Sequence, residues 1–441
     1  LGHGGKDILG GKIVGNFVQY PATNIHDALH ARCLVLDDGK TKLAFAVCDL
    51  LHTGYYVSRE ARQLIKKRTG IPPEHVLISA VHTHSGCSAE GSNTLKGYPL
   101  QVAERIAEGV QAAAANLRPA EFAFVTAQAP EYVFNRRWIM KPGTAPPNPF
   151  GQIDQVKMNP TPSSTNLVEP AGPTDPTVSI LAFREPGGRP IAVYSAYSLH
   201  YGGGVPNGDI SADYYGVYCE ELKRLMRAET QDPPFVAMMA NGTSGDINSV
   251  NFRKPRPQLP HYAKMRFVAN DIANKVHAAL AKAEYRSDIS LATSYRELQI
   301  GRRLPSAEQI DWAKQILAKP AKKSTGADLP AIYAKRVLGI PHTPETVPAP
   351  LQLFRLGPVC IGSMPVEIFC EIGLDFRKRC PLQPAFLVSH AHGSLGYLPT
   401  PRHFALGGYE TWLGTNRLEP HASDKFFAAL MEMAAEIRDP K

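Results

Sequence analysis

Two histidines one residue apart, His82-Thr83-His84, follow the apolar run His75–Val81 and stand before Ser85-Gly86. On extended backbone, side chains two positions apart point to the same face. Both imidazoles can therefore converge on one ion or one substrate atom, and neutral imidazole is the commonest metal ligand. A purely structural pair in a capped turn fits the same spacing. The His-x-His-x-Asp-His run of binuclear metallo-hydrolases is absent, because Ser85-Gly86-Cys87 follows. A further histidine, His200, ends the run Ile191–Leu199 and precedes Gly202-Gly203-Gly204, where glycine permits a sharp turn or close backbone approach. Asp213 reads as the acidic start of the next helix. The loop Asn241-Gly242-Thr243-Ser244-Gly245-Asp246 has the make-up of one that holds an oxyanion on backbone N–H groups. It lacks the Gly-Lys-Ser/Thr ending of a P-loop and the Gly-x-Ser-x-Gly of a nucleophile elbow, which argues against serine-hydrolase chemistry. Asn135-Arg136-Arg137-Trp138 sets fixed cations beside an aromatic, and Glu367 follows the apolar run Pro358–Ser363. Tyr397 and Tyr409, twelve positions apart among Gly and Pro turns, suit packing plus one hydrogen bond.

These groups need elements to aim them. Four short apolar runs end in polar or glycine-rich turns: Lys42–Leu50 before His52, His75–Val81 before His82, Ile191–Leu199 before His200, and Phe235–Ala240 before Asn241. Such runs fit strands. In each, the reactive groups come after the strand, where ligand sites of open α/β sheets lie, so the four ends are expected to share one site. Helical patterns are predicted over Tyr56–Arg68, Leu100–Ala115, Asp213–Arg227, Tyr262–Glu284 and, with a Ser-x-x-Gln start, Ser306–Leu317. Ile139–Pro176 reads as a long surface excursion, and Ile340–Pro350 as a Pro-rich connector before one strand over Leu351–Met364. The expected fold class is α/β, a mixed sheet body with flanking helices, forming a single unit over 1–441 with an inserted helical piece at about 303–350.

The 441 residues carry 48 Lys+Arg against 40 Asp+Glu, and 44% are apolar, enough for a globular core rather than a disordered chain. No run of about 18 apolar residues is present, so no transmembrane helix is predicted. Seven scattered cysteines without a CxxC pair argue against a disulfide framework or a cysteine zinc site, leaving room for one bridge such as Cys370–Cys380. The densest basic stretch, Lys319–Arg336, is broken by Pro320, Gly326, Asp328 and Pro330 and lacks interleaved aromatics. Nucleic acid is therefore not the expected partner, and the charge better suits anionic surfaces or acidic substrates.

In order along the chain, these segments resemble the catalytic domain of the neutral (non-lysosomal) ceramidase family of zinc-dependent amidases. The matching pieces are His82-Thr-His-Ser-Gly86, Asn135-Arg136, His200 with Ser211-Ala-Asp213-Tyr-Tyr-Gly216, Gly245-Asp246-Ile247, Pro365-Val366-Glu367, and Gly396-Tyr397 with Tyr409-Glu410. The resemblance implies one zinc per chain held by His82, His200, Glu367 and Tyr397. Its implied chemistry is cleavage of an amide, ester or lactone by zinc-bound hydroxide. His84, Arg136 and Tyr409 would face a small-molecule or lipid-like acyl substrate. Asn248 stands where the family has its active-site serine, and Val366 where it has glycine, so a substrate other than ceramide is expected. The C-terminal β-sandwich of ceramidases is not expected within these residues, and a periplasmic or extracellular location is. Two alternatives are a non-catalytic module binding anionic glycans or lipids, and a metal-dependent phosphoesterase with Asp49 or Asp246 bridging a second metal.

Overall fold

The computed structural model describes residues 8–15, 18–320 and 327–438. In the first main sheet, Ala31–Asp37 lies antiparallel to Lys42–Cys48, which runs parallel to Val76–Ala80. Strand side chains alternate between faces, and the sequence uses both. Leu43, Phe45 and Val47 enter the central core. Ala44, Ala46 and Cys48 share a core with Val57, Ala61 and Ile65 of the helix Tyr55–Thr69 and with Val102, Ile106 and Val110 of the helix Gly97–Ala115.

A second sheet has the order Val236–Asn241, Pro190–Tyr197, Thr177–Arg184, Glu121–Gln128, with the first pair parallel and the others antiparallel. Helices Asp213–Leu225 and Ala263–Leu280 join its core through Tyr218, Leu222, Val268 and Ile272. The third sheet runs Leu291–Gly301, Thr346–Leu356, Val359–Ser363, Ala385–Val388. Its Phe354, Leu356 and Ile361 face the central core, while Leu351, Leu353 and Cys360 pack with the helices Cys370–Arg379 and Ala422–Arg438. The Phe45 ring lies 5.1 Å from Tyr194 and 5.0 Å from Phe354, centroid to centroid, so the first sheet meets both others over its inner face. The result is a helix–sheet–sheet–helix layering, the mixed α/β class expected.

Three local expectations need correction. The single strand over Leu351–Met364 is a hairpin turning at Gly357-Pro358, and its first arm reaches back to Thr346 through Pro348 and Pro350. Only Gln352–Leu356 pairs with the second arm, so both prolines sit where a missing N–H costs no ladder bond. The supposed excursion Ile139–Pro176 contains a small antiparallel sheet in which Arg137–Met140 pairs with Val156–Met158 and Leu167–Pro170. Strands of three or four residues are too short to show a period. All seven cysteines are free, so Cys370 and Cys380 are not bridged.

The inserted segment is a helix pair, Ala307–Leu317 and Leu329–Gly339, joined through Ala313, Ala334 and Val337 and packed on Leu413. Ser306 and Gln309 form the reciprocal cap that the Ser-x-x-Gln spacing implies. Positions 321–326, part of the basic stretch, lie outside the described residues. Among the described residues no helix is long and apolar enough to cross a membrane.

Candidate metal centre

Strand ends deliver the first two imidazoles. His82 follows Val76–Ala80 in the left-handed region, φ 73°, with its N–H on Leu50 O, a conformation a non-glycine residue holds only when its surroundings impose it. Its Nδ1 is 3.0 Å from Leu51 O, and the Nδ1 of His200 is 3.0 Å from Ser244 O. A carbonyl only accepts, so each Nδ1 carries the proton and each Nε2 keeps its lone pair. Those two Nε2 atoms are 3.0 Å apart. With no hydrogen to share they repel, and a cation between them turns the repulsion into ligation.

The other donors surround the same point. His84 Nε2 is 3.2 Å from His82 Nε2. Glu367 Oε2, buried without a hydrogen-bond partner, is 3.5 Å from His82 Nε2 and 3.9 Å from His200 Nε2. Tetrahedral ligands bonded at 2.0–2.1 Å stand about 3.3 Å from one another, so the observed separations fit one small divalent ion. Burial, reinforced for His82 by the neighbouring imidazoles and for His200 by Arg136, holds both histidines well below the ordinary imidazole range, in the neutral form that ligates. Burial pushes Glu367 up to about 7, opposed by Arg136 and by the Tyr397 hydroxyl. A bound cation favours its ionised form.

Remote segments position Glu367. The two-residue strand Glu367–Ile368 pairs in parallel with Tyr397–Leu398, placing Glu367 opposite Tyr397, and the Tyr397 hydroxyl engages the Glu367 carboxylate and Arg136. Burial keeps this phenol well above its ordinary pKa, so it is a protonated neighbour of the carboxylate in this structure. Gly245 passes so close that a Cβ there would lie 2.5 Å from Glu367 O. Its own N–H bonds Ile368 O, as Gly242 N–H bonds Tyr197 O and Thr243 N–H bonds Ser198 Oγ. The loop expected to hold an oxyanion thus spends these amides internally, and serves to let two backbones touch.

Asp213 does more than start its helix. Its carboxylate accepts from the N–H groups of Gly202, Gly203 and Tyr214, pinning the glycine turn that follows His200. Arg136 is buried behind the ligands. Its Nε donates to Glu410 Oε1 at 2.8 Å, its Nη1 points at His200 Nε2 at 3.3 Å, and Arg137 Nη1 donates to Glu410 Oε2 at 2.5 Å. Burial pushes Glu410 up, but Arg137 and Arg136 outweigh it and hold the carboxylate below its usual range.

A cavity of about 450 Å³ opens on this centre, lined on one side by His82, His84, Glu367, Tyr397 and Tyr409. Arg136, expected to face substrate, and Asn248, at the family's serine position, are like His200 not among the residues lining this cavity. Arg136 is turned to Glu410, and antiparallel pairing of Ile247-Asn248 with Phe134-Asn135 directs the Asn248 amide to Asn159 Oδ1 at 2.8 Å. Asp49 and Asp246 are likewise not beside the ligands. Asp49 pairs with Arg32 at 2.6 Å, and Asp246 accepts from Asn135 Nδ2 and Cys370 N–H, so the second-metal phosphoesterase loses both proposed bridging carboxylates.

Sequence reasoning gave no role to three features. His390 stacks on His82 with centroids 4.1 Å apart and forms a further possible ligand group with His82 and Glu367. Glu410 holds both buried arginines, although only its neighbour Tyr409 was assigned. Four arginines, Arg302, Arg303, Arg336 and Arg417, also line the cavity. The signal for them was weak, since each sits alone or in a pair in a chain rich in arginine.

No family model matches this chain. Among solved structures, it is similar to neutral ceramidase from Pseudomonas aeruginosa, with a TM-score of 0.70 and 17% identity over 98% of this chain and 73% of that one. It is also similar to a ceramidase complexed with C2, with a TM-score of 0.72 and 17% identity over 98% of this chain and 74% of the other. The chain has the neutral-ceramidase fold.

Proposed function

We propose that the protein is a zinc-dependent hydrolase of an amide, ester or lactone bond in a compact acyl substrate other than ceramide. The observation that carries this reading is the pair of carbonyl-anchored imidazoles whose unprotonated Nε2 atoms meet 3.0 Å apart beside the unpartnered Glu367 Oε2. His82, His200 and Glu367 would hold the ion, with Tyr397 as a fourth donor. A zinc ion, when bound, supplies Lewis-acid polarisation of a carbonyl and brings the pKa of water to about 7. The remaining work falls to the chain. His84 Nε2, kept neutral by burial and Arg136, accepts a proton from the attacking water and passes it to the leaving nitrogen or oxygen. The Tyr409 hydroxyl donates to the developing oxyanion, a contribution of about 2.7–4 kcal/mol when such a donor is removed elsewhere. Arg136, braced by Glu410, positions the ligands from behind.

The neighbours of this fold are ceramidases, and a cavity of about 450 Å³ is in the lower part of the range for small-ligand pockets, roughly 300–1,000 Å³. The arginines in its lining suit a polar substrate better than a hydrocarbon chain. Metal analysis and 4-nitrophenyl ester hydrolysis test the reading. About one zinc per chain, turnover abolished by chelator and turnover restored by zinc are expected. Folded protein that hydrolyses equally well without metal would refute it. Zinc binding without turnover of any ester, amide or lactone would favour the binding-module alternative, which the amide at position 248 suggests.

A further inference from the structure

Much of the cavity wall is built by the inserted segment and by the loop it packs against. Arg302 and Arg303 stand at its start, Arg336 is on its second helix, and Arg417 is on the neighbouring loop, where Arg303 N–H bonds Arg417 O. Four like charges at one cavity repel one another, and three of them, all but the exposed Arg417, are also partly stripped of water. Here none of the four has a carboxylate within 4.0 Å among the described residues, although many other arginines of the chain do, as Arg32, Arg184 and Arg377 show. Glu367, already committed to the ligand cluster, is the single acidic residue in the lining.

Two of the four have internal work. Arg303 Nη1 donates to Thr411 O and its guanidinium lies over the Phe404 ring, while Arg336 Nη1 donates to Thr415 Oγ1 at 3.3 Å and lies over Tyr333. The other two are less engaged: Arg417 is exposed and acts on Glu367 and Glu90 through its charge alone. Neither Arg302 nor Arg417 has a side-chain hydrogen bond within the described residues, and Arg302 Nε is buried without a partner. Burial and the Arg417 charge together push Arg302 below its ordinary value, the direction expected of a cation lacking its counter-ion.

We propose that these arginines form an anion subsite, and that the substrate is an acyl compound carrying a carboxylate or similar oxyanion in addition to the bond that is cut. The planar fork of a guanidinium matches the two oxygens of such a group, and a charge-assisted pair is roughly twice as strong as a neutral hydrogen bond. The inserted helix pair thereby becomes the specificity element of the site. This inference rests on the hydrolase reading for the word substrate, but the subsite itself stands on the arginines alone.

The test separates the two. Zinc-loaded full-length protein is titrated calorimetrically with succinate, glutarate and adipate, and in parallel with butyrate, pentanoate and hexanoate. In each chain-matched pair one carboxylate is common, so the ratio of the two affinities reads the second. At least one dicarboxylate is expected to bind ten-fold or more tightly than its match, and the ratio to fall below two-fold in Arg302→Gln/Arg417→Gln. That double variant removes no hydrogen bond of the fold. Ratios near one in the parent protein, or a large ratio that persists in the variant, overturn the subsite. Ester turnover is measured on the same samples: turnover with ratios near one leaves the hydrolase standing and sinks the subsite. A collapsing ratio without turnover establishes the subsite and sinks the hydrolase.

Discussion

Replacing Glu367 by glutamine should make the metal-free protein more stable and the zinc-loaded protein less so. The buried Glu367 carboxyl is raised from 4.5 to about 7, and at about 1.4 kcal/mol per unit its ionisation in the fold costs about 3 kcal/mol. Between pH 4.5 and 7 the unfolded chain has released this proton while the native state still holds it, so wild-type stability falls as pH rises through that window and levels off above it. The side-chain amide of the variant has no proton to lose. In the presence of chelator the two proteins should unfold alike near pH 4.5. By pH 8 the Glu367→Gln variant should lead by up to about 3 kcal/mol. Zinc reverses the order at pH 8. At a thousand times its Kd it stabilises the wild type by about 4.1 kcal/mol, more than the lead of the variant, which lacks the anionic ligand and gains far less. Denaturant unfolding at pH 4.5 and 8, with chelator and with zinc, reads all four corners. Equal stabilities at pH 8 in chelator would refute the desolvated carboxylate. Equal stabilisation of both proteins by zinc would place the ion elsewhere.

His82→Ala should leave a folded protein whose zinc content drops from about one per chain to near zero, checked by metal analysis beside circular dichroism. Gly245→Ala forces a Cβ against Glu367 O and should lower zinc affinity by about ten- to hundred-fold, the cost typical of disturbing groups that orient ligands. Competition with a chromophoric chelator measures it. Glu410→Ala leaves Arg136 and Arg137 buried without their shared partner and should cost about 3–5 kcal/mol of stability, read by denaturant titration.

Local spacing was readable along the chain because the forces that express it act over a few residues. The alternation Leu43, Phe45, Val47 against Ala44, Ala46, Cys48 marks a strand buried on both faces, and Ser306 to Gln309 marks a helix start. His82-Thr83-His84 announces two imidazoles close together, and their Nε2 atoms are 3.2 Å apart, although His82 is left-handed rather than extended. Strands of three or four residues, such as Val156–Met158, fall below the length at which a period can be seen. What lies between distant segments was out of reach. The partners of Arg136 and Asn248, Glu410 and Asn159, come from distant segments that no local spacing pairs with them. No spacing reveals that His200, 118 positions after His82, brings its lone pair to the same point, because that distance is set by how two sheets pack. The arginine wall is further still from any local rule. Arg302 and Arg417 are ordinary in sequence and acquire meaning only when an inserted helix pair and a late loop line a common cavity.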